Sequence, residues 1–290
     1  MHNSIDQLQR FLFDQHNVRG ELVQLGPAYE AMITNHNYPA AVAELLGELL
    51  AATSLLTALL KFEGSISVQL QGDGPVRLLV VNGDHQQQFR GVARLARDPG
   101  SASGLQALLG EGYLVITISP VDGERYQGMV ALSGGSLAHC LEDYFRQSEQ
   151  LDTHVWLHAR SSEQAVAGGV LLQRLPGEIS GDEDGLNHLA QLANTLSREE
   201  LFTLPASELL HRLFHQEELR LFDPQPLAFV CGCSRERSAD AVVTLGRDEC
   251  EAVIAERGQL SVHCEYCAKD YLFDLSDLDR LFGPAKSQHH

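Results

Sequence analysis

Four cysteines constrain the C-terminal part of this chain more than any other feature. Cys231-Gly-Cys233 and Cys264-Glu-Tyr-Cys267 form a C-x-C and a C-x-x-C pair about thirty residues apart. Two close thiol pairs on tight turns can converge on one tetrahedral soft metal, usually Zn²⁺, and each pair can also close on itself as a disulfide. Gly232 lets the backbone bend sharply, and Glu265-Tyr266 supplies the second knuckle. Two helices are expected between the knuckles, around Arg237 to Thr244 and Arg247 to Arg257, with Gly258 as the stop for the second. Cys250 falls on the latter and reads as a packing or exposed thiol rather than a ligand, because four cysteines already saturate a tetrahedral metal. His263, beside Cys264, is either a competing ligand or, the favoured reading, a surface residue at a strand end. Arg235, Arg237 and Arg247 either offset the negative charge of a Zn(Cys)₄ centre or sit on solvated helix faces.

The segment from Leu227 to Phe282 spans about 55 residues and is modestly apolar, so its own core is marginal. A structural zinc contributes on the order of 10–16 kcal/mol in small peptides, which makes loss of metal an unfolding event. Zinc also holds its ligands as thiolates, the form that oxidants attack. A structural staple and a redox sensor both fit this pattern.

The formal net charge of -18 limits the partners of the 290-residue chain. Lysine is confined to Lys61, Lys269 and Lys286, and no basic tract exists. An acidic surface repels nucleic acid phosphates and anionic lipid, so neither nucleic acid nor membrane is an expected partner. Met1-His-Asn-Ser-Ile-Asp6 has no basic n-region or apolar h-region, and the apolar stretch Leu45 to Leu60 is short and interrupted by Glu48. Clustered cysteines without a secretory signal point to a reducing cytoplasm.

The remaining pattern is α+β. Short strands are expected at Phe11 to Phe13 and Glu21 to Leu25, then a long buried helix over Ala40 to Phe62. Ile66 to Gln71 and Val76 to Val81 flank Gly72-Asp-Gly-Pro75 as a hairpin, and Tyr113 to Ser119 pairs with Tyr126 to Leu132. A helix over Leu137 to Gln150 carries a buried Cys140, and strands follow at Val155 to Ala159 and Ala165 to Leu175. Pro176-Gly177 and the acidic residues Glu178, Asp182, Glu183 and Asp184 break the pattern. Leu186, Leu189, Leu192 and Leu196, then Leu209, Leu210, Leu213 and Phe214, mark two amphipathic helices whose apolar faces are expected to pack on the first domain. Three parts are expected: an α+β core domain (1–177), a helical linker (178–226) and a zinc-binding cysteine domain (227–290). Catalytic patterns are absent: Gly72-Asp-Gly-Pro75 has no following lysine, Ser133-Gly-Gly-Ser136 is not a nucleophile elbow, and the 13 histidines contain no H-E-x-x-H. The chain does not read as an enzyme; the alternative is a thiol-disulfide oxidoreductase using Cys264 and Cys267.

Phe229-Val-Cys-Gly-Cys-Ser-Arg-Glu-Arg237, Val262-His-Cys-Glu-Tyr-Cys267 and Tyr271-Leu-Phe-Asp274 resemble the bacterial redox-regulated heat-shock chaperone family of 33 kilodaltons. The likeness extends through Asn17-Val-Arg-Gly20, Gly72 to Pro75, Leu141 to Gln150, Ala167 to Pro176 and Leu209 to Phe222, nearly the whole chain. It implies an ATP-independent cytoplasmic holdase, inactive when reduced and carrying one Zn²⁺ on Cys231, Cys233, Cys264 and Cys267. It further implies disulfides Cys231–Cys233 and Cys264–Cys267 under oxidative stress, the latter leading. Zinc release, unfolding of the zinc unit and linker, homodimerisation and capture of unfolding client proteins would follow. Cys250 departs from the family pattern.

Overall fold

The computed structural model describes residues 5–59, 63–133, 135–176 and 184–283. Lys61, Phe62, Gly134, Gly177, Glu178, Asp182, Glu183 and Lys286 lie outside them. The chain divides into two compact units, Met1–Val230 and Cys231–His290.

In the first unit, β1 (Gln7–Phe13) and β2 (Val18–Leu25) form a hairpin, followed by α1 (Pro27–Ile33) and α2 (Ala40–Ala58). Next come β3 (Gly64–Gly72), β4 (Val76–Asp84), β5 (Gln88–Leu95), α3 (Leu105–Leu109), β6 (Gly112–Pro120) and β7 (Tyr126–Ala131). Helix α4 (Leu137–Tyr144) runs on into a wide turn of π type at Phe145–Glu149 and leads to β8 (Thr153–Arg160) and β9 (Val166–Arg174). Helices α5 (Gly185–Ala193), α6 (Arg198–Thr203) and α7 (Ala206–Phe214) precede the two-residue strands β10 (Arg220–Leu221), β11 (Gln225–Pro226) and β12 (Ala228–Phe229).

One sheet runs β10-β1-β2-β9-β8, with β11 also on β1; the other runs β12-β5-β4-β3-β6-β7. Helix α2 fills the core they share. Leu46, Leu49, Leu50 and Leu55 pack with Val23, Leu25 and Leu171 of the first sheet and with Val68, Leu70 and Leu79 of the second. Because α2 is buried almost all round, its polar groups must be satisfied internally. The hydroxyls of Thr53, Ser54 and Thr57 donate to the carbonyls of Leu49, Leu50 and Thr53 at 2.7–2.8 Å. By length and composition α2 could span a bilayer, yet 78% of its apolar window is buried inside the unit.

Alternation along β1, β2 and β9 sends a second apolar set to the other face of the first sheet. Phe11, Phe13, Val18, Leu22, Val170 and Leu172 meet Leu186, Leu189, Leu201, Leu209, Leu210, Leu213 and Phe214 there. The leucine faces of the amphipathic helices thus cover a sheet of the first unit, as their periodicity requires. Phe11 occupies the space above Gly20, directly across the β1–β2 pair, where any Cβ would meet its ring at 2.1 Å. The predicted hairpins appear with the expected partners, Val68 opposite Val81 and Val115 opposite Met129. The fold is α+β.

In the second unit, α8 (Arg235–Leu245) and α9 (Arg247–Arg257) are followed by the hairpin β13 (Leu260–His263) and β14 (Asp270–Phe273), then α10 (Leu275–Phe282). Gly258 ends α9 at φ +82° and its N–H donates to the Ile254 carbonyl, the glycine stop expected from the sequence. Val242, Cys250, Ile254, Leu260, Tyr271, Phe273 and Leu278 make up the core.

Candidate metal centre

The C-x-C pair bends at Gly232, whose φ of +66° is a left-handed conformation that suits glycine. It ends where Ser234 caps α8, the Ser234 side chain accepting from the Arg237 N–H. The C-x-x-C pair occupies the turn between β13 and β14. There the Cys264 N–H donates to the Lys269 carbonyl at 2.9 Å and the Ala268 N–H to the Cys264 carbonyl at 2.8 Å.

These local bends bring the four sulfurs together. Cys231 Sγ lies 3.3 Å from Cys264 Sγ and Cys233 Sγ 3.4 Å from Cys267 Sγ, and all four lie within 4.8 Å of one another. Four thiolates around a tetrahedral zinc at about 2.3 Å stand about 3.8 Å apart, so the cluster has the size and donor set for that ion. Both knuckles point backbone N–H groups at sulfur: Cys233 toward Cys231, and Lys269 toward Cys267. Tyr271 adds a side-chain donor, its hydroxyl lying 3.2 Å from Cys233 Sγ. That hydroxyl bond is the main reason the Cys233 thiol is lowered to about 7, whereas burial pushes Cys231 and Cys267 up. All four cysteines are half-buried, within reach of a small oxidant.

The flanking charges divide by role. Arg237 Nη1 donates to the Gly232 carbonyl at 2.5 Å and so braces the first knuckle. Arg235 pairs with Asp277 at 2.8 Å over the Phe273 ring, and Arg247 pairs with Glu251 and Asp279 at 2.6 Å each. These two arginines tie helices together by carboxylate pairing. Cys250 is fully buried with its Sγ 3.6 Å from the Val242 carbonyl, outside the cluster, and His263 is exposed beside Asp270. Cys140 is likewise buried, in the core of the first unit. Sequence reasoning missed Tyr271 as part of the site. Only the hairpin register that sets Tyr271 opposite Val262 relates this strand tyrosine to a cysteine 38 residues earlier. Cys264 and Cys267 sit in a hairpin turn rather than at the head of a helix, where a thioredoxin-like pair would stand.

A family profile described as Hsp33 protein matches residues 6–274. The 33 kDa chaperonin of Edwardsiella ictaluri is 54% identical over 282 residues, covering 97% of this chain and 96% of its own. That of Serratia proteamaculans is 53% identical over 278 residues, covering 96% and 95%. A crystal structure of the 33 kDa chaperonin (heat shock protein 33 homolog) from Thermotoga maritima superposes with a TM-score of 0.82 at 22% identity, over 95% of this chain and 97% of that one. With the profile spanning both units and full-length relatives above half identity, this chain belongs to the Hsp33 family of 33 kDa chaperonins.

Proposed function

We propose that this protein is a redox-regulated, ATP-independent holdase of the cytoplasm that captures unfolding client proteins during oxidative stress. The observation that carries the reading is the convergence of four sulfurs within 4.8 Å in a unit with a small apolar core. Cys231, Cys233, Cys264 and Cys267 would hold one Zn²⁺ per chain in the reduced, inactive form. Bound zinc would supply a cross-link between the two knuckles that the core alone is too small to replace.

Oxidation would begin with a peroxide taking two electrons from one thiolate to give a sulfenic acid and hydroxide. A thiol of the same motif then displaces water to form the disulfide. We assign the bonds as Cys231–Cys233 and Cys264–Cys267, with Cys264–Cys267 first. Each closes only its own knuckle, so neither replaces the lost link between them. Sulfurs of different motifs stand 3.3 Å (Cys231 and Cys264) and 3.4 Å (Cys233 and Cys267) apart, and a bond there would keep the unit stapled; disulfide mapping therefore distinguishes a release from a lock.

The three functional parts we propose are 1–177 as core, 178–226 as linker and 227–290 as switch. Release of α5 to α7 from the first sheet would uncover Phe11, Phe13, Leu22 and Val170, a surface suited to apolar client segments and to a second copy in a homodimer. The net charge of -18 would keep such an open form soluble and away from nucleic acid and membrane. No catalytic role is assigned to the thiols. Zinc content and suppression of client aggregation, measured together along a peroxide series at mild heat, test the reading. The two should move together, and fully oxidised, zinc-depleted protein that leaves client light scattering unchanged would overturn it.

A further inference from the structure

Tyr271 is set apart from the other donors around the sulfurs because it is a side chain. The N–H groups aimed at Cys231 and Cys267 come from the backbone of the knuckles, while the Tyr271 hydroxyl reaches Cys233 from the neighbouring strand at 3.2 Å. Tyr271 is only 7% exposed and packs in the small core, so the hydroxyl is held on a rigid element. Lys269 Nζ stands 5.0 Å from the ring centroid, where a cation draws electron density from the phenol and strengthens its hydroxyl as a donor. A thiolate that accepts such a bond has less electron density to give to an electrophile, and outer hydrogen bonds of this kind tune metal-bound ligands generally.

We propose that the Tyr271 hydroxyl is a positioning group that holds Cys233 back, making it the slowest of the four thiolates to react, so that attack starts elsewhere in the cluster. The inference rests on the metal-thiolate reading above and supplies a cause for an order of reaction within it. It also links the switch to the core of the unit, since the residue that shields Cys233 is one whose burial holds β13 and β14 to the helices.

The test is site-resolved alkylation of the reduced, zinc-loaded full chain with N-ethylmaleimide, read by mass spectrometry of each cysteine peptide. Cys233 is expected to react last in the parent protein. Tyr271→Phe keeps the buried ring and should speed Cys233 about three- to ten-fold, the factor one hydrogen bond commands, with the other three little changed. Hydrogen exchange over β13 and β14 verifies that the variant is folded. A second readout is the sulfur-to-metal charge-transfer band of the Co²⁺-substituted protein, which should move to longer wavelength in Tyr271→Phe as one thiolate loses its donor. An unchanged Cys233 rate, a uniform rise at all four cysteines, or an unmoved band would each overturn the proposal. Alkylation is read before any oxidation, so its outcome is separate from whether the oxidised protein protects clients.

Discussion

The two units solve the same stability problem with different means. In the first, a sheet is buried on both faces, by α2 on one side and by α5 to α7 on the other, and large side chains such as Phe11, Phe13, Phe214 and Tyr29 are fully buried. In the second, a few residues from Val242 to Leu278 must hold three helices and a hairpin, and the sulfur cluster stands at its edge. Apolar burial scales with size, so the first unit is expected to stand without metal and the second to depend on it.

The largest effect that would break this contrast is metal removal. Chelation, or Cys231→Ser, should abolish hydrogen-exchange protection across residues 231–283 while strands β1 to β9 keep theirs, because zinc supplies on the order of 10–16 kcal/mol in such small units. Retained protection beyond Cys231 would show that the small core suffices alone. Truncation in the large unit should do the reverse. Phe214 packs edge-on to Phe13 at 4.9 Å, and Phe214→Ala should cost about 3–5 kcal/mol in urea unfolding with zinc stoichiometry unchanged.

A third prediction uses pH. Glu21 is buried on β2 opposite Arg10, and desolvation raises its carboxyl to about 7 against the partial offset of Arg19 and Arg10. An acid whose folded pKa is raised contributes fully below its unfolded value near 4.5 and loses that contribution as pH rises toward 7. Glu21→Gln should therefore gain about 2–3 kcal/mol more relative to the parent at pH 8 than at pH 5, measured on the first unit's transition. A pH-independent difference would show that the carboxyl is not buried as described.

The smallest effects sharpen the comparison, because one kind of loss should be read out differently in each unit. Ser197 and Asp274 both form capping boxes, on α6 and α10. Ser197→Ala should cost about 1 kcal/mol of stability in the first unit. The same loss at Asp274→Ala should appear as a roughly five-fold weaker zinc affinity if, as proposed, metal binding and folding of the second unit are linked.

Legibility in the sequence followed the range of the interaction. The β3–β4 and β6–β7 hairpins of the second sheet were readable because turn chemistry and alternation are local, as at Gly72 to Pro75. Strand β5 was not: Phe89, Gly91 and Ala93 face inward, and only Phe89 is large enough to mark an apolar side. Gly91 is small because Met32 of α1 lies against it, a contact between residues 59 apart. Helix α1 has seven residues, too few for a periodic signal. Two predicted helices were too long. Leu137 to Gln150 changes to a π-type turn after Tyr144, and α5 ends at Ala193, leaving Leu196 beyond it but still within the apolar cluster.

By itself the sequence determined the thiol pairs, their spacing and their bends, because metal-ligand geometry is set by residues one to three apart. It also determined the apolar stripes of α5 and α7, since helical periodicity is local. Only the tertiary structure decided that those stripes cover the outer face of the β1–β2–β9 sheet, and that the Tyr271 hydroxyl stands beside Cys233. Both depend on strand register and on packing between residues far apart in the chain, which are selected by the burial of whole faces rather than by any local pattern.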